Sequence, residues 1–127
     1  MNYIVNVRKK EVEEFLREVK NTKNEDFLFL NRFKEKEKDP YILLGKLGLN
    51  KNDLIEEIKK LEANDFLRCQ IDSKNKFLFM YSFIKIMDGI IVYIKLSILD
   101  TSYLKKVYII SYHEATINEL KMKPYNN

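Results

Sequence analysis

At 127 residues the chain is long enough to bury a core without disulfides or a structural metal, and nothing in it calls for a second domain. Hydrophobic residues make up 46% and charged residues 33%, which excludes a disordered tail, and a single cysteine, Cys69, excludes an internal disulfide and a cysteine-rich zinc site. The net charge of +4 favours a polyanionic partner such as RNA without demanding one.

The opening stretch, MNYIVNVRKKEVEEF, lacks the apolar run and small-residue cleavage site of a secretory signal, so a cytoplasmic protein is expected. Lys9 to Asn21 places Val12, Phe15, Leu16 and Val19 on one stripe, which predicts an amphipathic helix packed on a sheet. Asp26 to Phe33 reads as a short strand and the charged run Lys34 to Asp39 as a solvated loop. Pro40 suits the first turn of a short helix that Gly45 and Gly48 bring to a close. Asn50 or Asn52 caps a third helix, striped by Leu54, Ile55, Ile58 and Leu61 and ending near Asn64.

From Phe66 onward the period changes to two. Leu67, Cys69 and Ile71 alternate with Phe66, Arg68, Gln70 and Asp72, with Cys69 read as a small buried hydrophobe. After a turn at Ser73 to Asn75, the run Lys76 to Met87 meets Asp88-Gly89, a strong signal for a two-residue hairpin turn. Such a turn pairs Met87 with Ile90, Ile84 with Tyr93, Ser82 with Lys95 and Met80 with Ser97, and paired residues share a face. Ile90, Val92, Ile94, Leu96 and Ile98 then form a buried face beside Phe79, Tyr81 and Phe83. Tyr93, Lys95 and Ser97, joined by Met80, Ser82 and Ile84, form a second face equipped for chemistry. Lys85, Asp88, Gly89 and Lys95 interrupt the apolar stretch Phe77 to Leu99 and argue against a membrane span.

A last strand, Lys105 to His113, returns antiparallel; if Tyr93 pairs with Ser111 or His113, the only histidine of the chain lands on the equipped face. The expected fold class is α/β (α+β), an antiparallel sheet of about four strands packed with about three helices. It occupies residues 1–115, and a polar, partly disordered tail spans 116–127.

The order of features resembles the MqsR family of toxins from bacterial type II toxin–antitoxin systems. The landmarks run from the FLNRFK stretch at Phe29 through Leu47-Gly48-Leu49, Asp65-Phe66, Asp88-Gly89 and Val92-Tyr93-Ile94-Lys95 to Ser111-Tyr112-His113. The resemblance covers about Val12 to Ala115. It implies a RelE-like fold and ribosome-independent cleavage of messenger RNA, around GCU triplets in the best-known members, under the restraint of a cognate antitoxin. It places Arg68 where the family can use a lysine beside the scissile phosphate, Tyr93 at a family tyrosine, and His113 where members carry lysine or histidine. Met80 replaces a glutamine, which implies different substrate contacts.

Cutting RNA without a metal requires a base for the 2'-hydroxyl, cations for the charged phosphorane and an acid for the leaving 5'-oxygen. His113 is the expected proton-transfer group, Lys95 and Arg68 the phosphate clamp, and Tyr93 a hydrogen-bond donor or, if ionised, a proton acceptor. Gln70, Met80, Ser82 and Ser97 are expected to contact the RNA. No cofactor or metal is expected, since His113 and Glu114 have no recognised ligand spacing, and there is no P-loop or dinucleotide fingerprint. Messenger RNA and an antitoxin are the expected partners, with no membrane and, for the chain on its own, no DNA. Taken singly, a histidine at a strand end or a tyrosine in a sheet is commonly a packing residue. A non-catalytic RNA-binding module and a protein-interaction module using the polar face therefore stay open.

Overall fold

The computed structural model describes residues 3–30, 39–72, 78–101 and 103–122. Strand β1 (Tyr3–Val5) is unanticipated, because three residues are too few for alternation to stand out. Helix α1 (Lys9–Lys20) buries the four residues its period singles out, Val12, Phe15, Leu16 and Val19. A short 3₁₀ turn leads into β2 (Phe27–Phe29), which is shorter than the expected strand; residues 31–38, with most of the charged loop, lie outside the described residues.

Helix α2 (Pro40–Leu47) begins at Asp39, whose Oδ1 accepts the Tyr41 N–H at 3.0 Å. It ends at Gly48, whose φ of 66° is a left-handed conformation that costs glycine nothing, while Gly45 stays inside the helix. Asn50 caps α3 (Lys51–Ile58): its Oδ1 takes the Asp53 N–H at 2.8 Å, and Asp53 Oδ2 takes the Asn50 N–H at 3.1 Å. The helix stops at Ile58, short of Asn64, and Leu61 is buried from the turn that follows.

The centre of the sheet is β3 (Phe66–Ile71), β4 (Phe79–Met87), β5 (Ile90–Asp100) and β6 (Lys105–Glu114). Asp88 and Gly89 both take positive φ, 50° and 78°, the backbone of a tight hairpin turn. The register follows from it, with Met87 opposite Ile90, Ile84 opposite Tyr93, Ser82 opposite Lys95 and Met80 opposite Ser97. The turn expected at Ser73–Asn75 lies outside the described residues.

The result is a mixed α+β fold. Among the described residues, six strands form one sheet in the order β1-β3-β4-β5-β6-β2, more than the expected four, and β2 runs parallel to β6. The two additions are three-residue edge strands held by a neighbour remote in sequence.

Two bulges decide which residues face the core. In β3, Phe66 pairs with Phe83 but Arg68 with Ser82, so Leu67 is the extra residue, and Phe66 packs with Cys69 on the core side instead of facing away from it. In β6, Leu96 pairs with Ile109 and Lys95 with Ser111, so Ile110 is extra. The bulge lets Val107, Ile109 and Tyr112 enter the core while Ser111 and His113 cross to the opposite face.

α1, α2 and α3 pack against one face, where Phe15 stacks on Tyr81 with 3.9 Å between ring centroids and Val92, Ile94 and Leu96 are wholly buried. The opposite face receives a fourth helix, α4 (Ile117–Leu120), in a segment expected to be a loose polar tail. Residues 115–122 instead fold back against the sheet, starting with the Ala115 N–H donated to the Ile91 carbonyl at 2.8 Å; residues 123–127 lie outside the described residues. No helix among the described residues is long and apolar enough to cross a membrane.

Candidate functional site

The face under α4 is built from cross-strand rows. One row runs Arg68, Ser82, Lys95, Ser111 across β3, β4, β5 and β6; the next runs Ile84, Tyr93, His113; a third runs Gln70, Met80, Ser97, Tyr108. Because directly paired residues share a face, all eight residues singled out in the sequence reach the same side of the sheet. With strands about 4.8 Å apart, the backbones of Arg68 and Lys95 sit roughly 10 Å from each other, within reach of two long side chains.

The rings of Tyr93 and His113 stack, with 5.4 Å between centroids and 27° between planes. Lys95 places its Nζ 5.9 Å from the centre of the Tyr93 ring. Burial pushes the Tyr93 phenol up to about 12, and the nearby Glu119 charge pushes the same way; Ser82 and the Arg68 guanidinium act in the opposite direction without prevailing. Tyr93 is therefore a neutral hydroxyl at physiological pH, a donor and not the ionised proton acceptor that the cations were expected to favour.

His113 is only 3% exposed, and so is Tyr93. The equipped face is closed at these two residues, where the 115–122 segment lies over it. Within that segment Glu119 places both carboxylate oxygens 3.0 Å from His113 Nε2. The carboxylate also accepts the Thr116 N–H at 2.9 Å, while the Glu119 N–H donates to Thr116 Oγ1 at 3.2 Å. Burial alone would raise the Glu119 pKa, but the hydrogen bonds from His113 and from the Thr116 backbone outweigh it and hold the group below the usual carboxylate range. An ionised carboxylate only accepts, so His113 Nε2 carries the hydrogen that joins them. Two buried side-chain atoms have no hydrogen-bond partner among the described residues, and both belong to this face: His113 Nδ1 and Arg68 Nε. Beside α4 a cleft of about 260 Å³ is lined by Asn64, Asp65, Leu67, Ile84, Glu119 and Met122 among others.

Three of the expected RNA contacts are set deeper than the sequence suggests. Ser82 and Ser97 are fully buried and donate their hydroxyls to the carbonyls of Arg68 at 3.2 Å and Phe79 at 2.8 Å, so they brace the sheet instead of offering a surface. Met80 is 5% exposed, whereas Gln70 is half-buried and lies opposite Ile4 of β1. Glu119 is the residue that sequence reading passed over. Thr116-Ile117-Asn118-Glu119 does carry the capping-box spacing, the one local sign of a helix there. No protein-family model matches the chain, and no curated protein matches it.

Proposed function

We propose that this chain is a metal-independent endoribonuclease that cuts messenger RNA, built on a RelE-like fold and, as in the MqsR toxins it resembles, restrained by a cognate antitoxin. The observation that carries the reading is the stacked Tyr93–His113 pair with Lys95 on the Tyr93 strand and Arg68 two strands away on the same face, a neutral hydroxyl and an imidazole among cations.

In this reading the ribose 2'-hydroxyl attacks its own 3'-phosphate. The new O–P bond closes a 2',3'-cyclic phosphate, the bond to the 5'-oxygen breaks, and one proton leaves the attacking oxygen as another reaches the leaving one. His113 handles a proton at one of those two oxygens. The Tyr93 hydroxyl donates to a non-bridging oxygen, and the Arg68 fork and the Lys95 ammonium stabilise the extra charge of the phosphorane. The net charge of +4 draws the polyanion in.

The test is digestion of a defined RNA in the presence of EDTA with analysis of both new ends. Cyclic phosphate and 5'-hydroxyl ends are expected; 5'-phosphate ends, or a strict need for a divalent metal, would overturn the mechanism. RNA retained but never cut would favour a binding module. In cells, expression without the antitoxin should arrest growth.

A further inference from the structure

A histidine that moves protons on a substrate must present a nitrogen to it, and His113 presents neither. Its Nδ1 is buried and has no partner among the described residues, and its Nε2 is covered by both oxygens of Glu119. The covering group is an anion with one negative charge, the same charge as the phosphodiester that the site is proposed to take.

We propose that residues 115–122 are an intramolecular plug in which the Glu119 carboxylate occupies the phosphate seat of His113, so that RNA must displace it before cleavage. This rests on the ribonuclease reading. The exchange is balanced: a carboxylate leaves the Nε2–H donor, a phosphate oxygen takes its place, and no proton has to be gained or lost. The plug is also lightly held. α4 is a single turn, Ile117 is 72% and Leu120 51% exposed, and the segment is tied down mainly by the Thr116–Glu119 cap, the Ala115–Ile91 hydrogen bond and Glu119 itself. Lifting it therefore exposes little apolar surface and frees Tyr93 together with His113.

The chain has one histidine, so its accessibility can be read without ambiguity. Full-length wild type, Glu119→Gln, Glu119→Ala and Thr116→Ala are compared, with circular dichroism confirming that each is folded. The first readout is the rate of diethylpyrocarbonate modification of His113 by mass spectrometry, at a pH above the ordinary imidazole range. The second is kcat/KM on a defined RNA. Losing a charged hydrogen bond should shift a closed–open equilibrium by about 10- to 100-fold, so both rates should rise by about that factor in the Glu119 variants. Thr116→Ala, which loosens the segment but keeps the carboxylate, should fall between them and wild type.

Modification of His113 that is unchanged by the Glu119 substitutions overturns the plug, whatever the activity. Faster modification with slower cleavage also overturns it, since Glu119 then positions His113 for catalysis. Faster modification with no cleavage by any variant leaves the closure over His113 standing and removes the ribonuclease reading instead.

Discussion

The two faces of the central sheet are made by the same four strands and are covered in opposite ways. On one, three helices lay down Leu, Ile, Val and Phe against Phe83, Ile94 and Leu96, so the cover is broad, apolar and tolerant of small shifts in any one contact. On the other, a single helical turn covers a tyrosine and a histidine, and a carboxylate–imidazole contact makes the closure. A seal of the first kind is cooperative with the fold. A seal of the second kind depends on a few directional bonds and can open while the sheet stays intact.

The largest effect expected on this contrast is catalytic. His113→Ala should lower RNA cleavage about 10²- to 10⁴-fold, a much larger change than in RNA affinity, as for a positioned acid or base. Single-turnover rates beside binding curves would measure it, and normal cleavage by the variant would move the proton transfer to Tyr93 or Lys95.

Two neighbours on β4 compare the faces directly. Phe83→Ala removes a fully buried ring from the helix side and should destabilise the fold by about 3–5 kcal/mol. Ser82→Ala removes one buried hydroxyl, bonded to the Arg68 carbonyl, and should destabilise it by about 1 kcal/mol. Urea unfolding of both variants would sharpen the comparison, and equal losses would contradict it.

Arg68→Ala and Lys95→Ala should each weaken RNA binding and turnover. Each should also make the logarithmic dependence of affinity on salt shallower by about 0.7 per lost contact with single-stranded RNA. An unchanged slope in either variant would take that residue out of the clamp.

The smallest effect is a pH dependence. Glu119 has a folded-state pKa below its ordinary value of 4.5, so its stabilising contribution is fully present above that value and is lost as pH falls through the lowered one. The groups around it are His113, Tyr93 and the Thr116 backbone, with Arg68 beside Tyr93. Wild type minus Glu119→Gln stability, measured by denaturant titration, should be level at neutral pH and decline below about 4.5. A difference that does not change with pH would mean the contact contributes nothing to the folded state.

Much of the scaffold was legible because its signals are local. The α1 stripe, the helix start at Pro40, the cap at Asn50 or Asn52 and the Asp88-Gly89 turn each arise within a few residues, and the turn carries the register of β4 and β5 with it. Part of the site followed, since Tyr93 and Lys95 inherit their side from that register. The edge strands followed only in part: a short strand within Asp26 to Phe33 was legible, but β1 and the place of β2 in the sheet depend on β3 and β6 offering unpaired backbone to segments far away in sequence. Nor could alternation show that Ser82, Ser97 and Met80 would be buried, because a polar face and a covered polar face have the same pattern.

The sequence by itself determined the helix stripes, the hairpin and its two unlike faces, for these depend on periodicity and on a turn that needs positive φ. Tertiary structure alone decided the bulges at Leu67 and Ile110, which change which residues face the core without altering composition. It alone also decided that Glu119 would close over His113. A carboxylate in a polar tail is indistinguishable from any solvated charge until the chain turns back and sets it 3.0 Å from an imidazole.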